Sequence, residues 1–439
     1  MPRIRAEVLS QQLIQWEGKL NRSLTVVVLG ALFAGTSARP ADANNGLSLI
    51  GFGAESVAMG GADLALTHTP AALDINPAGL DGVTGQAFEA TVGLAFATDI
   101  SHRDQLGNDV SISNSPVGLA DGGYAHRFGQ FTFGVGVFAQ GGVGNVYKNV
   151  ITPAGNRDEL SGVFGVLRAT AGVAWRAKPG LSVGLAVDMN AARAKQKIFP
   201  NTSTPTFAGL ELSDARAVAP GWSIGIQGQI SPKLEVAAQY SSKTALNLSH
   251  GKLVADYSAL GLGKVTYANA ELNGLALPQR VGIGVAVQPA AHWTLAFDVD
   301  WINWANALRT STLRATAPDS AAAPPQIELT SPLEWKNQFV FALGAAWELD
   351  EQTTLRVGYN YGKNPIPPQN LTPLLNAIAE RDLTVGLGYR LSRSWRIDGA
   401  LEWAMTNRVH YTNPSSPLGP DNTESLGYVA FLVTLGRQW

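Results

Sequence analysis

The chain of 439 residues contains no cysteine, and only 15% of its residues are charged. The absence of cysteine excludes a disulfide framework, a thiol nucleophile and a cysteine zinc site. The charged fraction lies below the ~25% usual for soluble globular chains, and a formal net charge of −2 lacks the basic footprint of a nucleic-acid-binding protein. The sequence has no long apolar run, whereas a membrane-spanning helix needs roughly 20 consecutive apolar residues. A soluble β-rich protein and a transmembrane barrel remain.

Residues 1–43 are typical of a secretory signal peptide. The apolar stretch 24–34 is flanked by Ala41 and Ala43, which are small residues at the two positions that a signal peptidase reads. Four basic residues precede the stretch: Arg3, Arg5, Lys19 and Arg22. The alternative is a buried N-terminal helix. We expect the mature chain to begin at Asn44.

From residue 86 onward, apolar residues alternate with small or polar ones at the period of two that is typical of half-buried β-strands. In 383–391, for example, Leu383, Val385 and Leu387 fall on one face. Fourteen segments share the pattern: 86–98, 118–128, 131–140, 163–176, 181–194, 216–230, 234–249, 276–288, 292–305, 335–348, 353–362, 382–391, 395–410 and 427–439.

The connections between these segments alternate in length, with 2–4 residues in one and 16–29 in the next. An outer-membrane barrel has this pattern, with short turns on the periplasmic side and long loops outside. A soluble sandwich gives no reason for it. The sequence therefore predicts an all-β fold, a 14-stranded antiparallel transmembrane β-barrel over residues 86–439. A closed barrel of this kind is expected to be a monomer.

Aromatic residues cluster at one end of the predicted strands. Seven lie next to a short connection or at the chain end: Phe128, Phe131, Trp175, Trp293, Trp347, Trp395 and Trp439. An aromatic belt at one membrane interface predicts this placement, although tryptophan also favours half-buried strand ends. The last segment, which ends at Trp439, resembles the C-terminal assembly signal of outer-membrane proteins and implies recognition of Trp439 by the barrel-assembly machinery. Arg437 departs from that signal, because an apolar residue is usual there.

Residues 44–85 do not alternate. The segment is rich in glycine and alanine, and its four charged residues are Glu55, Asp63, Asp74 and Asp81. This composition is too apolar for a solvated tail. Because the segment precedes the first predicted strand, we expect it to fold inward and plug the lumen; it is called the hatch below.

Several short motifs occur in a fixed order along the chain. They are residues 51–62, Asn76-Pro77-Ala78-Gly79-Leu80, Leu277-Pro278, Gln288-Pro289, Arg356-Val357-Gly358-Tyr359, Asn364-Pro365-Ile366-Pro367 and Gly386-Leu387-Gly388-Tyr389. In this order, and together with 14 predicted strands, they resemble the motifs of the outer-membrane long-chain fatty-acid transporters, the FadL/TodX family. The resemblance covers nearly the whole mature chain.

The resemblance implies a barrel with an N-terminal hatch in the outer membrane of a Gram-negative bacterium, in contact with membrane lipids and lipopolysaccharide. Members of this family take up long-chain fatty acids or aromatic hydrocarbons by passive diffusion, so the resemblance implies a hydrophobic small-molecule ligand. In the family, the ligand leaves sideways through an opening at a kink in the third strand, next to an Asn-Pro-Ala motif. Here Asn76, Pro77 and Ala78 match that motif, and Gly141 and Gly142 are the candidate kink.

The candidate ligand-binding residues follow from the alternation. Phe138 falls on the lumen face of the third segment, where an aromatic ring has no lipid to contact. We expect it to line a hydrophobic pocket with Phe52, Met59 and Leu64 of the hatch; plain packing against the hatch is the alternative. Gly141 and Gly142 also have an alternative interpretation, as the start of a long external loop.

Other functions find less support in the sequence. A general porin for polar solutes is the first alternative, and an apolar hatch speaks against it. A barrel enzyme such as an outer-membrane lipase is the second. Gly221-Trp222-Ser223-Ile224-Gly225 matches a nucleophile elbow, but an elbow needs a turn between a strand and a helix, and here the alternation of a strand continues. The six histidines are scattered. We expect no catalytic residue, no metal site and no cofactor.

The cleavage site is testable on the mature protein. We expect N-terminal sequencing of the outer-membrane form to begin at Asn44, because Ala41 and Ala43 are the small residues that the peptidase reads. A mature N-terminus before residue 30 would contradict the interpretation.

Overall fold

The computed structural model describes residues 45–439. The predicted signal peptide and its cleavage site therefore lie outside the described residues, as does Asn44. Within the described residues no helix is long and apolar enough to cross a membrane. Most of the chain after residue 85 forms antiparallel β-strands, as the alternation predicts.

The strands belong to one 20-stranded sheet. In chain order they are β1 (Gln86–Ala97), β2 (Ser101–Asp104), β3 (Asp109–Ser111), β4 (Val117–Phe128), β5 (Phe131–Ile151), β6 (Arg157–Lys178), β7 (Leu181–Thr204), β8 (Phe207–Ser231), β9 (Leu234–Ser241), β10 (Thr244–Tyr257), β11 (Gly263–Leu277), β12 (Arg280–Val287), β13 (Trp293–Ile302), β14 (Thr310–Pro318), β15 (Gln326–Pro332), β16 (Gln338–Glu348), β17 (Thr353–Gly362), β18 (Arg381–Arg390), β19 (Trp395–Thr412) and β20 (Asp421–Gln438). Short helices are α1 (Gly53–Ala58), α2 (Ala72–Ile75) and α3 (Trp304–Ala307), with 3₁₀ turns at Pro77–Gly82, Ser258–Leu260 and Pro368–Asn370.

Fourteen of these strands close into a ring. The order is β1–β4–β5–β6–β7–β8–β9–β12–β13–β16–β17–β18–β19–β20, and β20 pairs with β1 to complete it. Every pair is antiparallel. The predicted 14-stranded barrel is confirmed.

Six further strands extend the sheet on the side of the long connections, called the outer side below. From β8 the sheet continues through β10, β11, β14 and β15, and from β20 through β2 and β3. The prediction of one strand over 234–249 is therefore wrong. That segment breaks at Ser242 and Lys243, and β10 leaves the ring to pair with the outer part of β8.

Other predicted boundaries are also wrong on the outer side. The predicted strands 131–140, 163–176, 181–194 and 216–230 are the inner parts of β5 to β8, which reach well beyond them. Alternation does not predict the outer ends of these strands, because a strand that projects past the hydrocarbon layer needs no apolar face toward lipid. Similarly, the predicted 276–288 combines the end of β11 with β12, and 292–305 and 335–348 include residues outside β13 and β16.

The outward face of the ring is apolar where a lipid bilayer would contact it. Val92 is 64% exposed and Ile283 is 63% exposed. Exposure of so large an apolar surface to water would be unfavourable. The predicted aromatic belt lies next to the short turns: Trp293 stacks on Trp347 with ring centroids 5.4 Å apart. Arg437 lies over the rings of Trp395 and Trp439, 5.1 and 4.7 Å from their centroids, so this departure from the C-terminal signal has aromatic partners at the interface.

The two largest hydrophobic clusters face the lumen. One lies toward the outer side and includes Leu47, Leu212, Leu248, Trp304 and Trp335. The other surrounds the hatch and contains all four predicted ligand-binding residues. The inward faces of the ring strands therefore meet protein rather than a wide aqueous pore.

Candidate functional site

The hatch, described from residue 45 to residue 85, is hydrogen-bonded to the barrel wall by its backbone. Oδ2 of Asp298 on β13 accepts the amides of Asp63 and Leu64 at 2.7 and 2.8 Å. The Nδ2 of Asn360 on β17 donates to the carbonyl of Gly60 at 2.8 Å. Because an irregular segment carries many backbone groups without partners of its own, polar wall side chains are what make its burial possible.

An ion-pair network fixes α1 to the wall. Glu55 accepts hydrogen bonds from Arg356 on β17, at 2.8 Å, and from Arg396 on β19. Arg356 also pairs with Asp398 at 3.0 Å, and Arg396 with Glu89 of β1 at 3.2 Å. Charged groups in the lumen are thus neutralised in pairs, which limits the cost of burying them.

Glycines in the wall make room for the hatch. A Cβ on Gly358 of β17 would lie 2.2 Å from the backbone nitrogen of Gly60, and one on Gly184 of β7 would lie 2.1 Å from the carbonyl carbon of Pro77. Real Cβ atoms do not approach so closely, so these wall positions accept only glycine without a shift. The lumen face is therefore shaped to this segment.

The Asn76-Pro77-Ala78 motif lies against β7 and β8 of the wall. Asn76 donates from Nδ2 to the carbonyl of Leu64 at 2.9 Å, and its Oδ1 accepts the amide of Ala78 at 3.2 Å. A Cβ on Gly225 of β8 would lie 1.8 Å from this Oδ1. That the motif adjoins the third-strand kink stays a prediction from the resemblance.

The third strand of the ring, β5, is irregular at the predicted glycines. Gly141 and Gly142 have positive φ angles of 101° and 152°, which favour glycine. The register with β6 shifts between Ala139 and Gly141, so Gln140 is a bulged residue. The alternative that these glycines begin a loop is wrong, because β5 continues to Ile151.

The ladder between β4 and β5 has a gap beside this bulge. Strand β4 pairs with β5 only up to Gly122 and Val137, whereas on its other side it pairs with β1 up to Val117. In place of ladder bonds, Asp121 accepts the amide of Ala139 at 2.8 Å. Beyond the gap, the connection between β3 and β4 is bonded to β5, because the amide of Ser113 donates to the carbonyl of Val146 at 2.9 Å. Residues 138–143 and 117–121 therefore border an interruption of the strand ladder.

The hatch supports the bulge directly. Oδ2 of Asp74 in α2 accepts from Nε2 of Gln140 at 2.8 Å, and its Oδ1 accepts from Nη1 of Arg168 on β6 at 2.9 Å. Asp74 and Asp121 were not assigned to the site from the sequence. Asp74 was visible as one of the few charges of the hatch, but its partner on β5 depends on the register of the barrel.

The four candidate ligand-binding residues are close-packed and buried. The rings of Phe52 and Phe138 meet edge to face, with centroids 5.8 Å apart. Met59 packs at Gly344 of β16, and Leu64 packs at Gly282 and Gly284 of β12. Of the three hatch residues, Phe52 thus contacts the ring of Phe138, whereas Met59 and Leu64 fill recesses at glycines of β16 and β12.

Two cavities lie between the hatch and the wall. The larger, of about 440 Å³, opens toward the short turns. It is lined by Phe52 and Met59 but also by Glu55, Arg356 and Arg396, so apolar and charged groups share its lining. The smaller cavity adjoins the gap and is mostly apolar; its lining includes Leu49, Ile50, Val57, Leu119, Asp121, Tyr428 and Leu432.

On the outer side, a polar network ties the connection between β17 and β18 to the strands. Nδ1 of His102 lies 2.5 Å from Oε1 of Glu424, and its Nε2 lies 3.1 Å from Oδ2 of Asp104. Asn376 of the connection donates to Glu424 at 3.3 Å. Burial alone would lower the pKa of His102, but its hydrogen bonds to Asp104 and Glu424 outweigh burial and raise the pKa to about 9.

The elbow-like motif lies inside β8, where residues 221–225 continue the strand and Ser223 is buried. Neither the turn nor the helix of an elbow is present at this position. In the described part of the chain, no group of three or more histidine, aspartate and glutamate side chains is arranged to hold a metal ion.

Comparison with known proteins assigns the barrel to a family. Residues 41–431 match the model of a family described as outer membrane protein transport protein (OMPP1/FadL/TodX). The chain belongs to this family. It is therefore an outer-membrane transport protein, as the resemblance in its motifs implies.

Individual relatives of the FadL/TodX family are distant in sequence. Outer membrane protein P1 of Haemophilus influenzae is 22% identical over 235 residues, which cover 53% of this chain and 47% of that protein; the chain thus spans about half the length of this relative. The Pseudomonas putida toluene transporter TodX has a TM-score of 0.75 at 21% identity, covering 89% of this chain and 99% of its own. A Pseudomonas aeruginosa FadL homologue has a TM-score of 0.73 at 14% identity, covering 90% and 99%. These likenesses show a common fold.

The fit of the hatch to the wall is testable at Gly358. In a Gly358→Val variant, the added Cβ would overlap the backbone of Gly60, which costs ~1–3 kcal/mol or forces the hatch to move. We expect ion conductance in planar bilayers to rise.

The matched control is Gly399→Val on β19, where a Cβ has open space, and its conductance should stay at the wild-type level. Different mobility of unheated and boiled samples in SDS gels reports that each barrel is folded. Wild-type conductance from a well-folded Gly358→Val barrel would contradict a seal at β17.

The His102 network predicts a pH dependence on the outer side. A raised pKa means that the charged histidine stabilises the folded loop fully below its ordinary pKa of 6.5, and that this stability is lost as pH rises through about 9. We expect chymotrypsin to cleave at Leu371, Leu374 and Leu375 faster above pH 9, relative to an unstructured peptide substrate.

A His102→Gln variant should be cleaved fast already at pH 7 and without this pH step. The exposed His292 provides the control, since His292→Gln should behave as the wild type. A step that persists in His102→Gln would show that another group titrates.

Proposed function

We propose that this chain is an uptake channel for hydrophobic compounds, such as long-chain fatty acids or aromatic hydrocarbons, which leave the barrel sideways by passive diffusion. The observation that carries the proposal is the gap between β4 and β5, since it interrupts an otherwise closed ring at a wall that faces lipid. A channel for polar solutes has no use for an opening toward lipid.

The energetics favour a sideways exit. Each CH₂ group that stays out of water is worth ~0.8 kcal/mol, so a ligand that passed from an apolar lumen into the aqueous periplasm would lose that gain. The cavity next to the short turns is lined by charged side chains such as Glu55 and Arg396, which makes the straight route unfavourable for an apolar solute. The gap instead adjoins the small apolar cavity that includes Leu49 and Leu119.

The route into the lumen is supported by the outer hydrophobic cluster. Trp304 and Trp335 are buried there, with ring centroids 5.2 Å apart, among apolar residues of β6, β8 and β10. Apolar surface facing the lumen gives a hydrophobic solute a favourable first environment. The lumen is thus lined by apolar residues on the outer side and by charged residues next to the short turns.

The contact between Phe52 and Phe138 is the proposed gate. Phe138 is the first residue of β5 above the last ladder pair with β4, and Phe52 precedes α1 of the hatch. Separation of the two rings would connect the region around the hatch with the gap. Met59 and Leu64 contribute by fixing the hatch in its wall recesses, and the hatch itself closes the lumen to polar solutes.

The gap is testable by removing the backbone conformation that forms it. In a double variant Gly141→Val with Gly142→Val, each valine disfavours a positive φ by ~1–3 kcal/mol, so uptake of a labelled hydrophobic substrate should fall by about tenfold or more. The measurement is uptake by cells that carry equal amounts of heat-modifiable barrel.

The matched control is Gly261→Val with Gly263→Val. These glycines also have positive φ, of 76° and 67°, but have open space around them. Gly261 lies in the turn between β10 and β11, and Gly263 is the first residue of β11. Normal uptake by a folded Gly141→Val, Gly142→Val protein would remove the gap from the mechanism. Swelling of liposomes in sugars by the unaltered protein would instead support a general porin.

A further inference from the structure

We propose that four cations on the outward face of the barrel bind the phosphate groups of lipopolysaccharide in the outer leaflet. They are Arg193 and Lys195 on β7, Arg216 on β8 and Lys252 on β10, and they are called the cationic patch. All four side chains are exposed. The patch is separate from the hatch and from the gap between β4 and β5.

The sheet register brings these cations together. Arg193 lies directly opposite Arg216 in the ladder between β7 and β8. Opposite residues of an antiparallel pair have Cβ atoms about 4.5–5.5 Å apart, and like charges there repel. Arg216 is in turn opposite Ser249 of β10, and Lys252 is three residues further along that strand. An anion shared by these side chains would relieve the repulsion.

The patch lies at the outer edge of the apolar band. The ladder places Trp175 of the aromatic belt opposite Val183. Arg193 is ten residues along β7 from Val183. With a rise of about 3.3 Å per residue and a strand tilt of about 35–45°, the two residues are about 25 Å apart along the barrel axis. This distance equals the height of the lipid-facing apolar band of an outer-membrane barrel. Between them on β7, Val187 and Met189 are 56% and 48% exposed. The cations are thus at the level of lipid headgroups, directly above acyl chains.

Three other cations on the outer side have carboxylate partners. Lys197, the next outward cation of β7, pairs with Glu159 and Glu211 at 3.5 and 3.6 Å. Arg408 pairs with Asp99 at 3.0 Å, and Arg103 with Asp109 at 2.9 Å.

The cationic patch differs from these pairs. Among residues 45–439, no carboxylate forms an ion pair with any of its four cations. Asp214 is exposed on the same part of β8, so four positive charges face one negative charge. The excess positive charge of these four neighbouring side chains indicates an external anion.

The position selects a phosphorylated lipid over a free anion. Arginine side chains bind phosphate in a bidentate geometry, and the apolar strand surface below them offers contact to acyl chains. A lipid with phosphates on its headgroup satisfies both parts of this surface, whereas inorganic phosphate satisfies only the charge. We therefore assign the patch to a headgroup of the outer leaflet, with lipid A as its phosphorylated part.

The test measures binding of lipid A to the full mature protein in detergent by native mass spectrometry. Each cation near an anionic membrane surface contributes about fivefold to affinity, so Arg193→Gln with Arg216→Gln should weaken binding by roughly thirtyfold. Lys197→Gln is the matched control on the same strand face, and it should bind as the wild type because Lys197 already has protein partners. Heat-modifiable mobility establishes that every variant is folded.

Four results would overturn the proposal. The first is unchanged lipid A binding by the folded double variant, and the second is an equal loss in Lys197→Gln. The third is equal binding of dephosphorylated lipid A, which would leave the cations without a role. Displacement of lipid A by millimolar inorganic phosphate would also contradict it, because the patch would then recognise a free anion. Retained binding at high inorganic phosphate, with loss in the double variant, supports it.

Discussion

Closure of the backbone hydrogen-bond ladder is the constraint on which the rest of this molecule depends. A strand surrounded by lipid has no water to satisfy its amides and carbonyls, so β1 must pair with β20 and every neighbour in the ring must pair in turn. Once closure is required, an interruption of the ladder needs replacement partners. The interruption between β4 and β5 has them, because the carboxylate of Asp121 accepts the amide of Ala139. At this interruption a side chain thus supplies the hydrogen bond that the backbone supplies elsewhere in the ring.

The same constraint explains how the hatch is held. The lumen faces of the strands have completed their own ladders, so they offer the hatch only side chains and recesses. Asp298 and Asn360 supply hydrogen bonds, Arg356 and Arg396 supply charge for Glu55, and glycines supply space. Asp74 connects this interior to the bulge through Gln140. A movement of α2 would therefore displace Gln140 at the border of the gap without any change in the rest of the ring.

The sequence predicted the parts of the fold that lipid dictates. Alternation is enforced where one face of a strand meets acyl chains, and the 14 ring strands were found for that reason. It is not enforced beyond the bilayer, so the outer parts of β5 to β8 and the six additional strands were missed. Gly141 and Gly142 were visible because a positive φ favours one residue type. The hydrogen-bond partners of Asp74, Asp121 and Asn76 were not visible in the sequence. The register of the barrel strands decides which residues lie close to them, and a shift of one residue would change these neighbours.

The glycine recesses of the wall have a consequence for the order of assembly. Gly358, Gly184 and Gly225 lie on three different strands, and each is filled by a different point of the hatch. A segment interlocked with distant parts of a closed ring cannot slide in along the barrel axis after the last strand pair has formed. We therefore expect the ring to close around a hatch that is already inside, so that the hatch acts as a template for its own enclosure. By the same reasoning, a hatch transplanted from a distant relative would need its own set of glycines in the receiving wall.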